Sequence, residues 1–111
     1  MQTAKSSTKY VRISPRKARL AADLIRGRSV EEANIQLMYC KLRAGRLLKK
    51  TLDTAVANAE TQLNVQRGDL KVQEVRVDAG PVMKRAKPKN RGGSAPVMKR
   101  TSHFTIVVAA Q

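Results

Sequence analysis

Apolar and polar positions change rhythm several times along this chain, and each change marks an element. Lys9-Tyr10-Val11-Arg12-Ile13 alternates, which predicts a short edge strand with Val11 and Ile13 on one face. Ser14-Pro15-Arg16-Lys17 then opens a helix: Ser14 suits the N-cap, and Pro15 suits the first helical position, where a missing N–H costs nothing. Ala18, Ala21, Ala22 and Ile25 form one stripe with Leu20 and Leu24 beside it, leaving Arg12, Arg16 and Arg19 for the outside. Arg26-Gly27-Arg28 closes the helix, with glycine at the C′ position. Ser29-Val30-Glu31-Glu32 has the form of a capping box and begins a short second helix, carrying Val30, Ala33 and Leu37 inward and running to about Tyr39. After a break near Cys40 to Arg43 comes the longest helix, about Ala44 to Leu63. Its apolar positions Ala44, Leu48, Leu52, Ala55, Ala59 and Leu63, with Leu47 and Val56 alongside, keep a helical period. Many are alanine, so this helix can lie close to a sheet or a neighbouring helix; a heptad zipper would need more than this one run.

Asn64 to Leu70 is a connector, and the pattern then turns to strands. Over Leu70 to Val77 the phase changes, Leu70 and Val72 giving way to Val75 and Val77, which predicts a bulge near Gln73-Glu74. From His103 to Ala109 the alternation is clean, with Phe104, Ile106 and Val108 on one face. Between these two strands, Gly80 to Ser102 is too basic for a core, and Arg91-Gly92-Gly93-Ser94 at its centre supplies residues that tolerate positive φ. The segment reads as a long hairpin arm, about residues 80–102. With Gly92-Gly93 at the turn, Lys84-Arg85 and Lys99-Arg100 fall at similar heights, so like charges are expected to face each other, which destabilises a strand pair. Pro88 and Pro96 each remove a ladder donor, so the outer half of the free arm is expected to be irregular. An arm with so few large apolar residues cannot by itself offset an ordering cost of roughly 1–2 kcal/mol per residue. Something anionic must complete it. The fold class expected is α+β, three helices packed on one face of a small antiparallel sheet, with a long protruding β-hairpin arm.

Charge sharpens this picture. The chain of 111 residues reads as a single domain over 1–111, with a basic N-terminal extension about 1–8. Its 23 Lys and Arg against 8 Asp and Glu give a formal charge of +15, which points to a polyanion, nucleic acid before an anionic membrane surface. The charge is segregated: six basic residues precede the first acid, Asp23, seven follow the last, Asp78, and the middle is nearly neutral. Two polycationic segments therefore flank an ordinary folded body. One cysteine, Cys40, excludes an intrachain disulfide and fits a reducing compartment. No apolar run approaches the ~18 residues of a membrane span, and Met1 to Lys9 lacks the hydrophobic core of a secretion signal. A soluble intracellular protein is expected, with no membrane partner.

Catalytic chemistry has almost nothing to work with. His103 is the only histidine, and its neighbour Ser102 should point to the opposite strand face. Cys40 with one histidine cannot assemble a zinc site, and Gly92-Gly93 lacks the spacing and following helix of a phosphate loop. No enzyme, metal or cofactor is expected. Binding is better supported, and composition narrows its type. Tyr10, Tyr39 and Phe104 are the only aromatics, and none lies in the arm or is interleaved with its basic residues, so the stacking platform of a single-strand binder is expected to be missing. What remains is Lys and Arg on an extended ribbon and a helix start, suited to phosphate contacts that read shape more than sequence. An architectural DNA-binding protein is the alternative, since a basic ribbon with prolines can enter a minor groove. A membrane-surface role is weaker, because the strongest apolar stripe carries alanine in place of bulky interfacial residues.

Several blocks then point to one family. Val77-Asp78-Ala79-Gly80-Pro81, Lys84-Arg85, Pro88, and Lys99-Arg100-Thr101-Ser102-His103-Phe104-Thr105-Ile106-Val107-Val108 resemble the bacterial large-subunit ribosomal protein twenty-two family. Ala21-Ala22-Asp23-Leu24-Ile25-Arg26-Gly27 and Ala57-Asn58-Ala59-Glu60 also look like it, so the resemblance runs from about Arg12 to Val108. It implies a cytoplasmic structural component of the large ribosomal subunit that binds its ribosomal RNA across several domains and assists assembly. It further implies an arm that lines part of the nascent-peptide exit tunnel. The partners implied are large-subunit ribosomal RNA, neighbouring large-subunit proteins and the nascent peptide, with no homo-oligomer. By match to the motif, Lys84, Arg85, Lys99, Arg100, Thr101 and His103 lie along RNA-facing parts of the arm. Charge and placement add Arg12, Arg16, Lys17, Arg19, Lys87, Lys89 and Arg91. Ala79 stands where many relatives carry an acid, and the tip from Lys89 to Met98 departs from the commoner arginine-rich version.

Overall fold

The computed structural model describes residues 2–88 and 94–110, and for 83–88 and 94–98 the backbone alone. Its elements in order are β1 (Thr3–Val11), α1 (Pro15–Ala22), α2 (Val30–Met38), α3 (Arg43–Leu63), β2 (Leu70–Ala79), β3 (Met83–Pro88), β4 (Ser94–Lys99) and β5 (Ser102–Ala110), with one short 3₁₀ turn at Arg67–Asp69. The body sheet has the order β1-β5-β2, antiparallel throughout, and β3 pairs with β4 as a separate ribbon. This is the α+β fold expected from the sequence.

Strand β5 is central because its alternation is the most apolar in the chain. Phe104, Ile106 and Val108 are fully buried on the helix face, and their cross-strand partners Thr8, Ser6 and Ala4 on β1 and Val77, Val75 and Val72 on β2 share it. The opposite face is polar and open, with Lys71, Glu74, Arg76 and Asp78 exposed, as a half-covered antiparallel sheet allows. The bulge expected in β2 falls between Val72 and Glu74, where the register against β5 shifts.

Helix α3 lies against β1 and β5, and α1 and α2 pack on it and on β2. Ala44, Leu48, Leu52, Ala55, Val56 and Ala59 form its buried stripe, as the period predicts. Fully burying each of the larger ones contributes about 1.5–3 kcal/mol. Gly45 and Thr51 are buried too, which the apolar pattern did not mark. A Cβ on Gly45 would stand 2.8 Å from Cys40 Cβ, so glycine lets the α2–α3 turn close. Thr51 forms a hydroxyl–hydroxyl hydrogen bond of 2.8 Å with Thr8, tying α3 to the sheet edge. Asn58 Nδ2 donates to the Lys5 carbonyl at 3.1 Å farther along the same edge. At the start of α2, Ser29 supplies its half of the expected capping box, its Oγ accepting the Glu32 backbone N–H at 3.3 Å.

Two expectations need correction. The strand predicted over 9–13 runs instead from Thr3 to Val11, so most of the segment read as an N-terminal extension is sheet. Alternation is present there, but the inward residues are Ala4 and Ser6, too small and polar to register as a core pattern. Second, α1 stops at Ala22; Leu24, Ile25 and Arg28 continue through i→i+3 bonds to Ala21, Ala22 and Ile25, and Gly27 takes a positive φ of 79°. Ile25 stays buried in that tighter turn, while Leu20 faces solvent at 59% exposure.

At the end of β1 the register slips by one residue between Thr8 and Val11, so Lys9 and Tyr10 together oppose His103. Tyr10 takes φ 58°, a left-handed conformation that glycine usually supplies in a bulge of this kind. For an L-residue that costs on the order of 1–2 kcal/mol. Two contacts offset it. The Tyr10 backbone N–H donates to His103 Nδ1 at 3.1 Å, and the two rings meet edge-to-face at 5.0 Å and 88°.

Candidate nucleic-acid interface

The arm grows out of the β2–β5 pair through a tied neck. Gly80 N–H donates to the Thr101 carbonyl at 2.9 Å, and the Thr101 hydroxyl donates to the Pro81 carbonyl at 2.6 Å. Thr101 is only 5% exposed, so its hydroxyl serves the neck itself. A Cβ at position 80 would come within 2.5 Å of Thr101 Oγ1, so only glycine fits beside this tie. Ser102 next to it is fully buried and donates to the Ile13 carbonyl at 2.7 Å, anchoring the neck to the body. His103 is half-buried and faces the other way, as strand geometry predicts, with Nδ1 held by Tyr10.

Beyond the neck the backbone register pairs Met83 with Lys99, Lys84 with Met98, Arg85 with Val97, Ala86 with Pro96, Lys87 with Ala95 and Pro88 with Ser94. The facing like charges expected from the sequence do not occur: the observed register is shifted from the one centred on Gly92-Gly93, and every basic position in the ladder opposes an uncharged one. Pairing also runs through both prolines, where an irregular outer half was expected. The reason is that each strand of a two-stranded ribbon is an edge, so a proline nitrogen can face outward without breaking the ladder. The turn expected at Gly92-Gly93, with Lys89 and Arg91, lies outside the described residues.

The second basic segment sits on the body. Arg12, Arg16, Lys17 and Arg19 are all exposed at the start of α1. The side chains of Arg16 and Lys17 make no ion pair or hydrogen bond with other described residues. Arg19 is partly committed: Nε and Nη2 donate to the Val77 carbonyl at 3.2 and 3.1 Å. Arg26 does the same for the Val75 carbonyl at 2.9 Å while pairing with Asp23. These two arginines, with Val72 N–H donating to the Arg28 carbonyl, cover the outer edge of β2 against another strand. Lys99 and Arg100 are exposed on the return side of the arm.

Charge segregation along the sequence is thus also segregation in space. Three acids of the middle segment pair with basic residues of the same segment, Asp23 with Arg26, Asp53 with Lys49 and Arg67, Glu74 with Arg76. Such exposed pairs add little stability, but they leave the net charge to the helix start and the arm. Among the described residues no group of histidine, cysteine and acid side chains could hold a metal ion, and no helix is long and apolar enough to cross a membrane. Tyr10, to which the sequence reading gave no role, lies near Lys9 and Arg12 and is 65% exposed at the root of the arm.

A nearly neutral body carrying a basic helix start and a tied basic ribbon is the charge arrangement of a protein suited to a polyanionic partner. Similarity to known proteins narrows that class. The profile of the family Ribosomal protein L22p/L17e matches residues 6–109. The "Large ribosomal subunit protein uL22" of Protochlamydia amoebophila is 70% identical over 109 residues, covering 98% of both chains. Its counterparts in Chlamydia muridarum and Chlamydia abortus are each 62% identical over 104 residues, covering 94% of both chains. The chain belongs to the L22p/L17e family of ribosomal proteins. It is a structural protein of the large subunit in the cytoplasmic ribosome, not an enzyme, and it works among ribosomal RNA and other ribosomal proteins.

Proposed function

We propose that this chain binds large-subunit ribosomal RNA mainly through phosphate contacts, holds RNA from several domains together as the subunit assembles, and lays its arm along the nascent-peptide exit tunnel. The observation that carries this reading is the offset register of the ribbon. It sets Lys84, Arg85, Lys87 and Lys99 opposite uncharged positions in the ladder, which supports a role for these positions in meeting phosphates. Lys89, Arg91 and Arg100 extend the same basic segment, and Arg12, Arg16, Lys17 and Arg19 form a second contact on the body. Thr101 and His103 belong to the interface as positioning residues, since both hold the neck from which the cations project. At about 3.3 Å per residue, six-residue strands reach roughly 20 Å beyond the neck, enough to pass between RNA helices and meet a nascent peptide.

Competition tests this at matched ionic strength: folded large-subunit ribosomal RNA should displace the chain from duplex DNA, and equal affinity for both would favour the architectural DNA-binding alternative. If six to ten phosphates are neutralised, affinity should fall about 10³- to 10⁵-fold between roughly 50 and 200 mM salt. In a cell lysate the protein should sediment with the large subunit; finding it only in free fractions would contradict the reading.

A further inference from the structure

Among the described residues, large apolar side chains are exposed around Ile35, Met38, Tyr39 and Leu42 at the α2–α3 corner, singly at Leu20 and Val82, and at Tyr10. Nothing identifies a partner for the corner, Leu20 or Val82, but Tyr10 has both a fixed geometry and an electrostatic setting. We propose that Tyr10 is a stacking platform for an unpaired nucleobase of the RNA that meets the root of the arm. This inference deepens the RNA-binding reading and rests on it.

A base needs a flat partner that does not have to be ordered on binding. The Tyr10 ring meets that need: its backbone is set at φ 58°, its N–H is bonded to His103 Nδ1, and its ring is perpendicular to the His103 ring. In an edge-to-face pair at least one face of the tyrosine is left uncovered by the histidine, and Tyr10 is 65% exposed. The surroundings favour nucleic acid over an apolar protein side chain. Lys9 and Arg12 flank the residue in sequence and are exposed, and Arg100 is exposed where the return strand enters the neck. These cations suit the phosphates on either side of a splayed base. Directly across β5, Asp78 pairs in register with His103 and is exposed on the same face. An acid there repels phosphate, so the part of a nucleotide that fits over Tyr10 is its uncharged base.

The test compares the full chain with Tyr10→Phe and Tyr10→Asn in binding to purified large-subunit ribosomal RNA over a range of salt. Asparagine tolerates the left-handed conformation and so keeps the bulge, while phenylalanine keeps the ring. Tyr10→Phe should bind like the unaltered chain, and Tyr10→Asn should bind about 5- to 150-fold more weakly. The slope of log affinity against log salt should not change, because no ion pair is removed. Unaltered affinity of Tyr10→Asn, or a loss that comes with a shallower slope, overturns the proposal. Should Tyr10→Asn melt at a lower temperature than the unaltered chain, Tyr10→Gly, which suits the same φ, replaces it with the same two outcomes. Loss of binding to a neighbouring ribosomal protein with RNA affinity intact would make Tyr10 a protein contact and overturn the proposal. Failure of the unaltered chain to bind the RNA at all would instead overturn the broader reading, and this one with it.

Discussion

A single missing Cβ sets the geometry of the neck. Gly80 lies so close to Thr101 that a methyl group would displace the hydroxyl now donated to the Pro81 carbonyl. Gly80→Ala should therefore destabilise the protein by about 1–3 kcal/mol in denaturant unfolding, from overpacking and the broken hydrogen bond together. Thr101→Ala removes the hydroxyl and should cost about 1 kcal/mol. Because Thr101→Ala also clears the space that a methyl group at position 80 would occupy, the double variant should cost less than the sum of the two. Strict additivity would show that the two positions do not interact in this way. Tyr10 presents the reverse case, a residue that accepts a conformation suited to glycine and is held there by its histidine partner. No alternation rule reveals such a position, since its conformation is set by the slip in register between two strands distant in sequence.

The helices and the two long body strands were legible because a stripe of alanine and leucine or an alternation of valine, isoleucine and phenylalanine needs no partner to be seen. The β2 bulge was legible for the same reason, as a change of phase. β1 was only half visible: Thr3 to Thr8 becomes a strand because β5 offers it an unpaired edge and Thr51 and Asn58 offer it side-chain partners, and neither is written in the segment itself. In the arm, charge was legible but register was not, since a shift of one residue separates opposed charges from interleaved ones. That register has a consequence for binding. Replacing Lys84, Arg85, Lys99 and Arg100 together by glutamine should lower the salt slope of RNA binding by about 0.7–0.9 for each phosphate no longer neutralised. Stability in denaturant unfolding should stay within about 0.5 kcal/mol, because these positions belong to the arm and its neck, outside the body core. An unchanged slope would mean that the arm's cations do not meet phosphates.

As a whole the molecule is elongated, 63 × 24 × 16 Å, with a radius of gyration of 16.9 Å. A compact chain of this length would have about 13 Å. The excess is the ribbon, whose strands pair only with each other, and an isolated two-stranded hairpin is marginally stable at best in water. The body has a core to hold it; on the function proposed above, the ribbon beyond the neck is held by the phosphates of its RNA. Amide hydrogen exchange measures that difference directly. In the free protein, the backbone N–H groups of the non-proline residues in Met83–Pro88 and Ser94–Lys99 should exchange far faster than those of β2 and β5, and folded large-subunit ribosomal RNA should slow them to nearly the rate of the body. Slow exchange in both ribbon strands without RNA, unchanged when RNA is added, would contradict the account.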